Sequence, residues 1–275
     1  MTADPLLIMV APNGARRTKA DHAALPMTAA ELADTAAACL AAGAGAMHIH
    51  VRDDTGAHVL DARRYADAIT AIQDRTDGRM LVQITTEAVG RYLPSEQMEL
   101  VRTLRPAAVS VGLREILDDG DAAASAFFSW AAGEGIAVQH ILYDRADLDR
   151  FAELHRRGCL GDVAQPRILF VLGRYAPDQE SRPEDLDVFL DGLEHHRLGA
   201  VWSVCAFGRG ETSALAAAVA RGGHVRVGFE NSLWHADGRM ARDNAERVAA
   251  IASIAAMTGR RLASADQART ILGTS

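Results

Sequence analysis

Lysine is nearly missing from this chain: of its 29 cationic residues, 28 are arginine and only Lys19 is lysine. With that bias, and with so much alanine, no single arginine is evidence of function by itself. Cysteine is scarce too. Cys39, Cys159 and Cys205 are odd in number and far apart, which excludes a disulfide framework and makes the cytoplasm the expected compartment. Aromatic residues are only 5% of the chain, yet 49% is apolar, so disorder is excluded. No apolar run approaches the 18 residues of a membrane span; the Ala-rich stretch from Ala36 to Met47 is broken by Gly43 and Gly45. The segment Met1 to Pro5 has no basic region and Leu6–Ala11 is too short for a signal core. The net charge is −7, which excludes a basic balance of the kind that draws nucleic acid.

What is present is one repeated pattern. Short apolar runs occur at Leu6–Ala11, Ala46–Val51, Met80–Thr85, Ala107–Val111, Ile136–Leu142, Arg167–Leu172, Ala200–Cys205 and His224–Phe229. Helix-period segments follow, beginning near Thr28, Asp61, Ser95, Asp121, Asp147, Arg182, Glu211 and Arg242. Thr28 with Glu31 forms a capping-box signature, and Ser95 precedes Glu96 in a first turn. Gly43, Gly78, Gly133, Gly158, Gly199 and Gly222 stand where left-handed helix caps are expected. Eight such units in 275 residues leave about 34 residues each, enough for a right-handed parallel crossover. An open doubly wound sheet needs fewer strands, and no GxGxxG follows the first run. The expectation is an α/β fold, a single (β/α)8 TIM barrel over residues 1–275, with its site at the C-terminal ends of the strands.

Those strand ends are polar in an ordered way. In the second run, His48, His50 and Arg52 share one face by the two-residue period of a strand, while Met47, Ile49 and Val51 share the other. Two imidazoles so spaced suit one metal ion, although a hydrogen-bonded inward pair has the same pattern. In the eighth run, Val225, Val227 and Phe229 alternate with His224, Arg226, Gly228 and Glu230. A buried Arg and Glu require partners. Glu230 can complete a His₂Glu set with His48 and His50, leaving open positions as catalytic metals have, or it can pair with Arg226 and close the barrel. Further polar groups at strand ends are Asn13, Thr85, Thr86, Glu87, Ser110, Arg114, Gln139, His140, Arg174, Ser203 and Arg209. The loop after the first run carries Arg16, Arg17 and Lys19, so an electropositive mouth and an anionic substrate are expected: a carboxylate, or a carrier bearing phosphate.

The segments MHIHVRD, ITTE, FVLG, WSVCAFGR and GGHVRVGFEN, in this order, resemble the β-keto acid cleavage enzymes over essentially the whole chain. The resemblance implies a (β/α)8 barrel, a homo-oligomer (dimer or tetramer), and a divalent metal, typically zinc. It also implies condensation of a β-keto acid with acetyl-CoA, giving acetoacetate and a new acyl-CoA. On this resemblance His48, His50 and Glu230 are the metal ligands, and Arg226 is the arginine that orients the general base. Thr86 and Ser110 are hydroxyl-bearing substrate positions, with Thr85 replacing Thr86 after a one-residue register change. Asn13 and Arg16 are further substrate-side residues.

Two departures from the family pattern bear on the chemistry. Asn231 stands where an Asp usually follows the Glu ligand, and an amide takes no proton at neutral pH. Glu87 is the first replacement for that base and a metal-held hydroxide the second. The first loop lacks the Glu that would receive a substrate ammonium, which favours a neutral or anionic keto acid. The alternatives are a metal-dependent C–C lyase or hydrolase working without CoA, and a weakly catalytic barrel that binds a metal and a small acid.

Overall fold

The computed structural model, which describes residues 4–274, puts each apolar run on a parallel strand. The strands are β1 (Ile8–Val10), β2 (Ala46–Ile49), β3 (Leu81–Thr85), β4 (Ala108–Gly112), β5 (Ala137–Leu142), β6 (Arg167–Leu172), β7 (Val201–Ala206) and β8 (His224–Val227). They close into one barrel in sequence order, with β1 paired to β8 through Ile8–Val225 and Val10–Val227. The helices are α1 (Ala29–Ala42), α2 (Ala62–Thr76), α3 (Pro94–Leu104), the single turn α4 (Leu113–Ile116), α5 (Asp121–Gly133), α6 (Arg145–Arg156), α7 (Asp187–His196), α8 (Glu211–Ala220), α9 (Asn244–Met257) and α10 (Ala265–Leu272). The fold is a (β/α)8 TIM barrel.

The outward strand residues make the main core. Ile8, Val10, Met47, Ile49, Ile84, Val109, Phe170, Val204, Val225 and Val227 are all buried against the helix ring, the apolar set that the two-residue period selects. The inward residues are layered. Leu7, Met9, Ala46 and Leu81 fill the N-terminal end, where α10 closes the barrel with Ala268 and Leu272. Above them the interior turns polar: Gln83 donates to Gln139 at 3.1 Å, and Gln139 donates to Ser203 at 3.4 Å. The helix pattern counted eight; α4 and α10 are additional. α10 escapes the βα count because it follows the last unit and plugs the floor.

Helix starts follow their caps. Thr28 accepts from the Glu31 N–H, and the Glu31 carboxylate accepts from the Thr28 N–H, a box worth about 1 kcal/mol. The third helix begins at Pro94 rather than Ser95. Its cap, Leu93, has no side-chain oxygen, so Glu96 reaches back to the Leu93 N–H at 2.8 Å, and Pro94 fills a position whose N–H has no helical partner. α6, expected to begin near Asp147, begins at Arg145 with Asp144 as its cap. The Arg182 segment opens as a 3-10 turn, Pro183–Leu186, before α7. Of the six glycines expected as left-handed caps, Gly43, Gly78, Gly158 and Gly222 have positive φ. Gly133 ends α5 in helical geometry and Gly135 makes that turn; after α7 it is Arg197, at φ 52°, not Gly199.

Strands β2 and β8 end two residues earlier than their apolar runs, at Ile49 and Val227. His50 and Glu230 therefore sit on the exit loops just past the ladder. Arg52, expected to share the lumen with the two histidines, turns away instead. It donates to the carbonyls of Gly56 (2.9 Å), Arg17 (3.0 Å) and Gly14, and so pins the first βα loop.

Candidate active site

At the C-terminal ends of β2 and β8, three groups from distant parts of the chain converge. His48 Nε2 and His50 Nε2 are 3.2 Å apart, and Glu230 Oε2 lies 3.6 Å from the first and 3.5 Å from the second. Both histidines are buried, and the Glu230 side chain is 13% exposed. The local fold makes this possible. Gly228, at φ +144°, lets the chain turn against β1, where a Cβ would come within 2.4 Å of the Ala11 carbonyl oxygen. The Glu230 N–H then donates to that carbonyl at 3.0 Å. Gly14, at φ +61°, leaves room for the Glu230 side chain, since a Cβ there would lie 2.6 Å from its Cγ.

The electrostatics keep this cluster ready to bind a cation. Burial alone pushes the Glu230 carboxyl upward, but the buried Arg226 guanidinium overrides it and holds that carboxyl well below the usual range. Arg226 Nη2 donates to Glu230 Oε1 at 3.0 Å and to Cys205 Sγ at 3.4 Å. The second oxygen, Oε2, is buried and has no hydrogen-bond partner among the described residues. His48 is held well below its ordinary pKa, chiefly by burial and next by Arg226, so its imidazole is neutral. Two imidazole nitrogens and an orphaned carboxylate oxygen, all within 4.8 Å of one another, are a donor set that fits a divalent metal. The Arg226–Glu230 pair and the His₂Glu set, opposed as alternatives in the sequence, coexist because the two carboxylate oxygens face different partners.

Above this floor opens a cavity of about 190 Å³ whose wall includes Arg16, Arg17, Arg174 and Glu87. Glu87 Oε2 lies 3.9 Å from His50 Nδ1, and its Oε1 lies 3.9 Å from Arg174 Nη2. Arg174 stacks over Phe207, 5.2 Å from the ring centre. The Arg17 guanidinium donates to the carbonyls of Phe229 and Asn231, and among the described residues no carboxylate lies within 4 Å of it. Burial lowers its pKa, the largest influence on it. Counting Arg226, four guanidinium groups face two carboxylates around the floor and wall.

The remaining candidates are spread more widely. Asn13 is buried; it donates to the carbonyls of Pro26 and His50 and accepts from the His50 N–H, so it fixes the backbone of a floor residue. Thr85 lines the inner cavity with His48, His50 and Arg226, while Thr86 is off its wall and donates to the Ser110 carbonyl at 3.4 Å. The Ser110 hydroxyl is buried and without a partner among the described residues. The Asn231 amide is also fully buried, is off the cavity wall, and neither of its polar atoms has a partner among the described residues. Arg114 pairs with Asp144 and Asp147, Arg209 stacks on Trp234, and His140 packs between Phe128 and Phe151 outside the barrel. Gln83 and Tyr143 were not among the expected site residues. Gln83 Oε1 meets His48 Nδ1 at 2.9 Å, and Tyr143 lines the inner cavity. Gln83 was legible: it shares a strand face with Thr85 inside an apolar run.

The model of the β-keto acid cleavage enzymes matches residues 5–274. The chain belongs to that family. It is 30% identical to the 3-keto-5-aminohexanoate cleavage enzyme of Fusobacterium nucleatum, over 98% of each chain. It is 26% identical to the 3-oxoadipate:acetyl-CoA acetyltransferase of Cupriavidus necator, over 98% of this chain and 95% of that one. Among solved structures it is similar to ObcA in a binary complex with oxaloacetate, with a TM-score of 0.73 and 15% identity over 90% of this chain and 67% of the other, a likeness of fold. No helix among the described residues is long and apolar enough to cross a membrane.

Proposed function

We propose that this β-keto acid cleavage enzyme family member condenses a β-keto acid with acetyl-CoA and releases acetoacetate and a new acyl-CoA. The observation that carries the reading is the convergence of His48, His50 and Glu230 beneath Glu87 and three wall arginines. His48, His50 and Glu230 would hold zinc. That ion, when bound, supplies Lewis-acid polarisation of the substrate's keto and carboxylate oxygens, which lowers the cost of forming a carbanion at C2.

Glu87 takes the C2 proton. It is the carboxylate on the wall with no hydrogen-bonded arginine, it borders the floor through His50, and Asn231 offers no base. The C2 carbanion then attacks the thioester carbonyl of acetyl-CoA and forms the new C–C bond. CoA sulfur passes to the substrate's original keto carbon, and that carbon's bond to C2 breaks. The electron pair stays on the acetoacetate fragment, which recovers the proton from Glu87. Arg226 keeps Glu230 ionised, and its Nε and Nη1, buried and without partners among the described residues, are donors for substrate oxygen. Thr85 is the hydroxyl that borders the substrate, and Thr86 and Ser110 support the adjoining strand ends.

The excess of guanidinium over carboxylate favours an anionic keto acid over an amino-substituted one. The relative named for 3-oxoadipate, a dicarboxylate, supports the same reading. We further take residues 1–275 to work as one barrel domain, as a cytoplasmic homodimer or homotetramer. The test is purified protein against a panel of β-keto acids with acetyl-CoA, reading acetoacetate. Turnover that needs acetyl-CoA supports transfer. Turnover without CoA means a lyase or hydrolase, and thermal stabilisation by keto acids without turnover means a binding barrel.

A further inference from the structure

Behind the loop that carries Glu230 lies a second set of buried charges which the reaction itself does not use. Glu211 and Arg247 are both fully buried and paired to each other. Arg247 also donates to Thr212 Oγ1 at 3.2 Å and meets His235 Nδ1 at 3.0 Å. A buried ion pair is poor value as a stabiliser, because desolvation consumes most of the attraction. Its surroundings suggest another use. Glu211 is the first residue of α8, and its Oε1 accepts the Gly228 N–H at 3.3 Å. Asn244, the first residue of α9, accepts the Phe229 N–H at 2.9 Å and donates to the Pro12 carbonyl at 3.0 Å. With the Glu230 N–H on Ala11, three successive amides, of residues 228, 229 and 230, are held by three different elements.

We propose that Glu211, fixed by Arg247, is a positioning residue that sets Glu230 against His48 and His50 by accepting the Gly228 N–H. The chain of contact is short. Arg247 anchors the carboxylate, the carboxylate anchors residue 228, and Glu230 follows two residues later. Tying α8 to α9 would need the ion pair alone; setting the loop needs the acceptor at Gly228. The inference rests on the metal reading above.

Two double variants separate these roles. Glu211→Leu with Arg247→Met removes both the charges and the acceptor. Glu211→Gln with Arg247→Met removes the charges but keeps an amide oxygen for Gly228. Each is measured for thermal midpoint and for zinc affinity, by competition with a chromophoric chelator. The first should bind zinc about 10- to 100-fold more weakly than the wild type, the range seen when an outer partner of a ligand is lost. The second, which keeps an acceptor for Gly228 but loses the Arg247 anchor, should bind zinc more tightly than the first, with the two melting alike. Equal zinc affinity in the two overturns the proposal. Should either fail to fold, Glu211→Asp keeps the charge and shortens its reach; it should bind zinc more weakly, and unchanged affinity overturns the proposal. Wild-type protein that binds no zinc overturns the metal reading and this inference with it, whereas wild-type binding with unaltered variants overturns the positioning role alone.

Discussion

Gln83 Oε1 lies 2.9 Å from His48 Nδ1, and this single contact decides which nitrogen of the histidine carries the proton. Because Gln83 gives its amide N–H to Gln139, its oxygen faces the ring, so His48 is protonated at Nδ1 and its Nε2 is left free, 3.2 Å from His50 Nε2 and 3.6 Å from Glu230 Oε2. Partners of this kind orient a metal-binding imidazole and raise its basicity. Gln83→Met should therefore weaken zinc binding by about 10-fold while leaving the barrel folded. Gln83→Glu, which keeps an acceptor, should restore much of it. Chelator competition on both variants checks the order.

Removing the imidazole itself is a harsher test. His48→Ala should lower zinc affinity by more than about 100-fold, beyond the effect of losing an outer partner, and abolish turnover in step. Metal content and rate are measured on the same preparation. Full turnover in metal-free His48→Ala protein would remove the Lewis-acid role from the proposal.

Much of this could be read from the residues because a strand's period is two. That period put His48 with His50, and Arg226 with Glu230, and the barrel's closure brought β8 within one strand of β2. It failed at Arg52 because the strand had already ended at Ile49; beyond the ladder, side-chain direction is set by whichever carbonyls lie near. The same period puts Thr85, the last residue of β3, on the inward face with Leu81 and Gln83, so that it borders the cavity and Thr86 does not. Tyr143 and the partners of Arg17 depend on long-range closure, which no local pattern encodes. α10 carries a helix period like any other, and only the closed barrel reveals that it is a plug.

Glu87 has a sharper signature than general loss of activity. Glu87→Gln keeps the side chain's size and removes its ability to accept a proton. The chemical step should slow by about 10² or more, with acetyl-CoA KM little changed. Stopped-flow measurement of the first turnover isolates that step. A near-normal rate would exclude Glu87 as the base and direct attention to water in the cavity.

The wall arginines should discriminate among substrates. Arg174 has only a distant partner in Glu87, and it stacks on Phe207, which stiffens it toward the cavity. Arg174→Leu should raise KM for a dicarboxylic β-keto acid by about 10-fold, the equivalent of one charge-assisted contact near 1.4 kcal/mol. KM for an uncharged-tail analogue should hold. An equal loss for both analogues, or a loss confined to acetyl-CoA, would show that the guanidinium serves the carrier or the fold rather than the substrate tail.

The last prediction concerns stability and pH. Glu115 lies behind Glu87, where its Oε2 accepts the Ala88 N–H at 3.0 Å. Burial, with smaller contributions from Glu87 and Asp118, pushes its carboxyl up from 4.5 to about 7. The folded state therefore holds this proton more tightly than the unfolded chain does. Between pH 4.5 and about 7 the folded protein carries the extra proton, so stability contributed by this group falls as pH rises through that window and levels off above it. Glu115→Gln keeps an oxygen for the Ala88 N–H and never ionises. Relative to wild type, the variant should gain thermal midpoint progressively from pH 4.5 to 7 and hold a constant advantage beyond. Melting curves across that range measure the difference directly, and a gap that stays flat with pH would mean the Glu115 carboxyl titrates normally in the folded protein.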